Sequence, residues 1–173
     1  LDYLQAAASF SRGAVHLLLD LDRVVTVEEK KAWVEALSDA ADHDATPRSL
    51  LIKSYLFDPY DTLSALKKSK GLTHLSLQEC HMSEVCVEVL SQFTSLVSLH
   101  LELHYFDVST FNFVSKLAGL HPSHSLLAAN LQRLYIYAGS IEWSESRGFL
   151  QHWPQLKQLT LEASNEIKAE EII

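Results

Sequence analysis

One short phrase, apolar-x-x-Leu-x-(Leu or Ile), is written six times along this chain and constrains its fold more than any other feature. The copies start at Ala14 (AVHLLL), Pro47 (PRSLLI), Leu72 (LTHLSL), Leu96 (LVSLHL), Leu131 (LQRLYI) and Leu156 (LKQLTL). They recur about every 24–35 residues, a scale of self-similarity that marks stacked units, each burying its apolar face against its neighbours. Within each phrase the anchors alternate with positions expected to be exposed, the period-2 pattern of a strand with one buried face.

Longer segments with helical periodicity separate the phrases. In residues 27–41, Val27, Ala32, Trp33, Ala36, Leu37 and Ala40 fall at helix-like spacings, opposite Glu28, Glu29, Lys30 and Lys31. In residues 83–93, Val85, Val89, Leu90 and Phe93 point inward, with Ser83 as N-cap. Residues 61–70 predict a shorter helix stopped by Gly71. Further helices are expected over 1–10, 109–117 and 145–153. Residues 119–130 read as an insertion, because Pro122 breaks a helix there. Strands that alternate with helical crossovers must run parallel. The expected fold is therefore α/β: a curved solenoid of about six repeats over residues 1–173, with parallel strands on the concave face and helices on the convex one.

The stretch LTHLSLQEC, residues 72–80, resembles the leucine-rich repeat consensus L-x-x-L-x-L-x-x-(N or C). Cysteine in the last slot resembles the cysteine-containing and ribonuclease-inhibitor-like subclasses, and the resemblance runs from Ala14 to Ser164. The other copies depart from it at that slot, with Asp22, Tyr55, His104, Gly139 and Ser164, so irregular turns are expected after the strands. The resemblance implies that partners are taken on the concave face. It extends to the substrate-recognition arm of F-box ubiquitin-ligase adaptors, whose F-box would be a helical segment before the repeats, for which residues 1–11 are too short.

Alternation assigns three rows to the face turned away from the core. The first is His16, Ser49, His74, Ser98, Arg133 and Gln158; the second Leu18, Leu51, Ser76, His100, Tyr135 and Thr160; the third Asp20, Lys53, Gln78, Glu102, Tyr137 and Glu162. Leu18 and Leu51 form an early apolar pair. Arg133, Tyr135, Tyr137, His100 and Glu102 form a later patch of the residue types that dominate binding hot spots. With His74, Ser76 and Gln78 they make the candidate partner-binding surface.

Other chemistries find little support. A net charge of −8 disfavours binding to a phosphate backbone, and Lys67, Lys68 and Lys70 suit a helix end. No apolar run is long enough to span a bilayer, and the start carries no basic segment before an apolar core. Cys80 and Cys86 are too few for a disulfide framework and read as buried thiols. No nucleophile elbow or phosphate loop is present. Nine histidines leave one weaker alternative, a metal or enzyme site at His74, His100 and Glu102, while His121 and His124 sit in the Pro-containing loop.

The expectation is thus a non-catalytic module that binds protein partners, with no cofactor, nucleic acid, membrane span or small-molecule substrate. The alternative is a structural or assembly subunit of a larger complex, for example a mitochondrial one. An intracellular site, cytoplasmic or nuclear, is expected, with mitochondrial as the alternative. Neither end reads as a polar cap, so a portion of a longer chain, or capping by a partner, is expected.

Overall fold

The computed structural model describes residues 16–20, 22, 26–43, 46–55, 58–103, 117, 126–138 and 153–163. Its strands are β1 (His16–Asp20), β2 (Ser49–Lys53), β3 (His74–Gln78), β4 (Ser98–Leu103), β5 (Arg133–Ala138) and β6 (Gln158–Ala163). Its helices are α1 (Val27–Asp42), α2 (Tyr60–Leu66), α3 (Glu84–Ser91) and α4 (Leu126–Asn130). The strands form one open sheet in chain order, every pair parallel. The molecule is α/β, as the repeat pattern predicts.

One face of the sheet is apolar. Leu50 and Ile52 of β2, Leu75 and Leu77 of β3, and their counterparts Leu99, Leu101, Leu134 and Ile136 are buried. They share one core with Trp33 and Leu37 of α1, Leu63 and Leu66 of α2, Leu90 of α3 and Leu127 of α4. Each strand therefore delivers its alternate residues to helices on the same side, and burial of that apolar area drives the stacking.

The strand starts repeat one backbone device. The Arg48 carbonyl accepts from the N–H groups of Thr73 and His74 at 2.9 and 3.0 Å, and the Thr73 carbonyl from Val97 and Ser98 at 2.8 and 3.0 Å. Val97 serves Gln132 and Arg133 at 2.9 and 3.0 Å, and Gln132 serves Lys157 and Gln158 at 2.8 and 3.1 Å. Four junctions share this geometry, and the longer spacing before β5 leaves it unchanged. Small polar side chains reinforce the same edge. Buried Thr46 and Ser69 hydrogen-bond through their hydroxyls. Ser95 donates to the carbonyls of Ser69 and Leu72, and Asn130 donates to that of Thr94.

Beyond the strand ends the links are less regular. Glu79 adopts a left-handed backbone, φ 55°, a conformation that costs a non-glycine residue roughly 1–2 kcal/mol. The turn sends Cys80 inward, where its thiol faces the carbonyls of Gln78 and Ile52 at 3.3 and 3.7 Å. Two repeats earlier the equivalent slot holds Asp22, whose carboxylate accepts from the N–H of Tyr55, the residue in that slot of the repeat between, at 2.8 Å. A carboxylate thus makes the inter-repeat link there that cysteine makes at β3.

Several helix expectations need correction. Helix α1 starts with a capping box: Thr26 Oγ1 accepts from the Glu29 N–H and Glu29 Oε2 from the Thr26 N–H, both at 3.1 Å. Its buried stripe is Trp33, Leu37, Ala40 and Ala41, whereas Val27 is 79% exposed. Six residues before Trp33, Val27 lies about 120° around a helix of 3.6 residues per turn. Val85 is likewise 47% exposed, because α3 buries the line through Cys86, Leu90 and its neighbours. Ser83 occupies the N-cap of α3 without a side-chain bond to a helix N–H, its hydroxyl engaging Cys86 Sγ at 3.4 Å and the Asp58 carboxylate instead.

Helix α2 ends at Leu66, well before Gly71. The Ser69 N–H closes a tight turn onto the Leu66 carbonyl at 2.9 Å, and Ser69 Oγ then takes the Leu72 N–H at 3.2 Å. The lysines at 67, 68 and 70 therefore lie past the helix. Within the expected insertion, residues 126–130 form α4, four positions beyond Pro122 and free of its steric restriction. The helices expected over 1–10, 109–117 and 145–153 lie outside the described residues, apart from buried Leu117 and Trp153. His104, His121 and His124 also lie outside them. Among the described residues, no helix is long and apolar enough to cross a membrane.

Candidate functional site

The face of the sheet opposite the leucines carries the three rows in register. His16, Ser49, His74, Ser98, Arg133 and Gln158 are aligned across all six strands. So are Leu18, Leu51, Ser76, His100, Tyr135 and Thr160, and likewise Asp20, Lys53, Gln78, Glu102, Tyr137 and Glu162. A period of two places these side chains together, since each strand offers the same alternation at the same register. Leu51, Tyr135 and Tyr137 do not belong to the apolar core, and Leu18 is 64% exposed.

Two hydrogen-bonded chains organise the face. Arg133 on β5 reaches over the short side chain of Ser98 on β4 and places Nη2 2.8 Å from His74 Nε2 on β3. A guanidinium can only donate, so Nε2 accepts and the ring proton sits on Nδ1. That nitrogen faces Thr73 Oγ1 at 2.8 Å, and the hydroxyl donates onward to the Arg48 carbonyl at 3.1 Å. Burial, then the charges of Arg133 and His16, hold His74 below the ordinary imidazole range. Neutral His74 is the form this chain requires.

The second chain lies one row further along the strands. His100 and Tyr135 are direct partners across β4 and β5, with ring centroids 4.1 Å apart and planes tilted by 56°. Tyr135 donates its hydroxyl to Glu162 Oε2 at 2.8 Å. Burial and the bond to Glu162 push the phenol up to about 12. Burial also lowers His100, against the pull of Glu102 and Glu162. At the strand ends Lys53 Nζ pairs with Glu79 Oε1 at 2.9 Å.

The expected residues thus divide into groups. Arg133 joins His74, and Tyr135 joins His100 in the next row; Glu102 stands opposite Tyr137. Ser76 and Gln78 occupy β3 beside them, and Leu18 with Leu51 sits across the sheet on β1 and β2. His74 and His100 occupy different rows, since their direct partners are Ser98 and Ser76. Both nitrogens of His74 are engaged, one by a cation, an arrangement hostile to a metal ion. Among the described residues, no three His, Cys, Asp or Glu side chains converge as a metal site.

Sequence reasoning missed three contributors: Thr73 and the Arg48 carbonyl, which fix the His74 tautomer, and Glu162, which orients Tyr135. Glu162 was legible as a row member; its bond to Tyr135 needed the register. It also missed a hub beneath the loops. Asp58 accepts from Cys86 Sγ at 2.7 Å and from the Tyr60 N–H at 2.8 Å. Burial, opposed by bonds from Cys86, Ser83 and the Tyr60 N–H and by the His81 charge, leaves its carboxyl below the usual range. Burial pushes both thiols up to about 12, further for Cys86 through Asp58, which suits structure rather than nucleophilic attack.

Comparison with protein-family models finds no match, and comparison with curated protein sequences finds none.

Proposed function

We propose that this protein is a non-catalytic module of the leucine-rich repeat type, curved as a solenoid, which binds a protein partner on the strand face. One observation carries the reading: six strands in a single register present an uninterrupted surface of polar, aromatic and exposed apolar side chains. Arg133 and Tyr135 are already ordered by hydrogen bonds to other strands, which reduces the entropy lost on binding. Two thiols pushed up to about 12 offer no nucleophile at neutral pH.

Affinity capture with three forms of the protein tests this: wild type, the face variant Leu18→Glu/Tyr135→Ala, and the helix-surface variant Glu35→Lys. Partners retained by wild type and Glu35→Lys but lost by the face variant support the reading. Partners held equally by the face variant refute it, provided all three unfold at comparable temperatures.

A further inference from the structure

The strand face is electrically divided along the length of its strands. Its start rim holds Arg48, Arg133 and Lys157 with His16 and His74, and no carboxylate stands in that row or immediately before it among the described residues. Its end rim holds Asp20, Asp22, Glu79, Glu102 and Glu162 against, among the described residues, a single Lys53, itself paired with Glu79. Between the rims runs the row that begins with Leu18 and Leu51 and continues through His100 and Tyr135.

Neutral partners position charges on both rims. Arg133 is held by an imidazole, Lys157 by the Gln132 side-chain carbonyl at 3.1 Å, and Glu162 by a phenol. These contacts orient the charges without cancelling them. That differs from Lys53 and Glu79, which neutralise each other.

The dimensions select the shape of the partner. Start and end rims are four residues apart along a strand, about 13 Å, and six strands extend about 24 Å across the sheet. A helix is about 10–12 Å wide, and about 16 residues of it match the longer dimension. An extended peptide sends alternate side chains toward and away from the surface, so it lacks two flanks to meet two rims.

We infer that the strand face takes an amphipathic α-helix of a partner protein, laid across the strands, with an apolar ridge on the central row, an acidic flank toward Arg133 and Lys157, and a basic flank toward Glu162. This rests on the protein-binding reading above and specifies the partner's chemistry.

Two synthetic 16-residue peptides of identical composition test it by fluorescence anisotropy. One carries Glu along one flank of a Leu/Phe ridge and Lys along the other; its isomer mixes Glu and Lys on both flanks. The segregated peptide is expected to bind about tenfold more tightly, to gain helical circular dichroism on binding, and to lose about tenfold with Arg133→Glu. Rising salt should weaken it. Equal affinities, binding without helix formation, or no binding of either peptide overturns the helix inference. Those results leave the protein-binding reading to the capture experiment, where retention of partners by the face variant refutes both.

Discussion

Adjacent residues on β4 should respond to truncation very differently. Leu101 is 0% exposed and lies between Leu77 and Ile136, themselves fully buried. Leu→Ala substitution in a core costs about 2–5 kcal/mol, the larger values arising where neighbours cannot close the cavity. Here both flanking residues belong to strands held by the sheet ladder and by repeated strand-start bonds, so Leu101→Ala should cost about 3–5 kcal/mol. His100 is half-buried on the opposite face, and its main packing is the tilted contact with Tyr135. Aromatic pairs add about 0.5–1.5 kcal/mol, so His100→Ala should cost about 1 kcal/mol. In a chain of this size each kcal/mol moves Tm by roughly 2–4 °C, giving losses of about 6–20 °C and about 2–4 °C. Urea unfolding followed by circular dichroism measures the same difference as a shift in midpoint at constant slope. Comparable losses, or a larger one for His100→Ala, would refute the reasoning. They would mean a register one residue away, since a single slip exchanges the two faces of a strand.

Four further outcomes are expected. His74 and His100 bind a proton less readily folded than unfolded, so their contribution to stability is complete above about pH 6.5 and lost as pH falls through their lowered values. Arg133→Ala should raise the His74 midpoint in an NMR titration and leave His100 in place; an unmoved His74 contradicts the pairing. The Tyr135 phenol should ionise near 12, and Glu162→Gln should lower that value in an ultraviolet titration; no change would exclude the Glu162 bond as a cause. Cys80 and Cys86 should resist Ellman's reagent at pH 8 in the native protein and react upon unfolding; rapid native labelling would disprove their burial.

Much of the architecture was legible because it depends on period alone. The alternation of Leu75 and Leu77 with His74, Ser76 and Gln78 separates the two faces of β3 without knowledge of any other strand. Aligning the phrases then aligned the strands, because each phrase starts its strand at the same position and the strand-start bonds repeat at four junctions. Helix faces were less legible. Val27 and Val85 are apolar and near the right spacing, yet which stripe of a helix is buried depends on what packs beside it. Helix α2 ended where buried Ser69 found partners, an interaction invisible to local propensity.

The sequence by itself determined the repeated strand, the parallel order and the membership of the three rows, since these follow from side-chain alternation and from spacing. Only the tertiary structure decided which row members join and what state they hold. Arg133 and His74 are 59 residues apart and meet because Ser98 between them is short. Proton position, thiol burial and the division of charge between rims all depend on distances across strands. Those distances arise when the chain folds, through the packing of leucines that the sequence repeats but does not place.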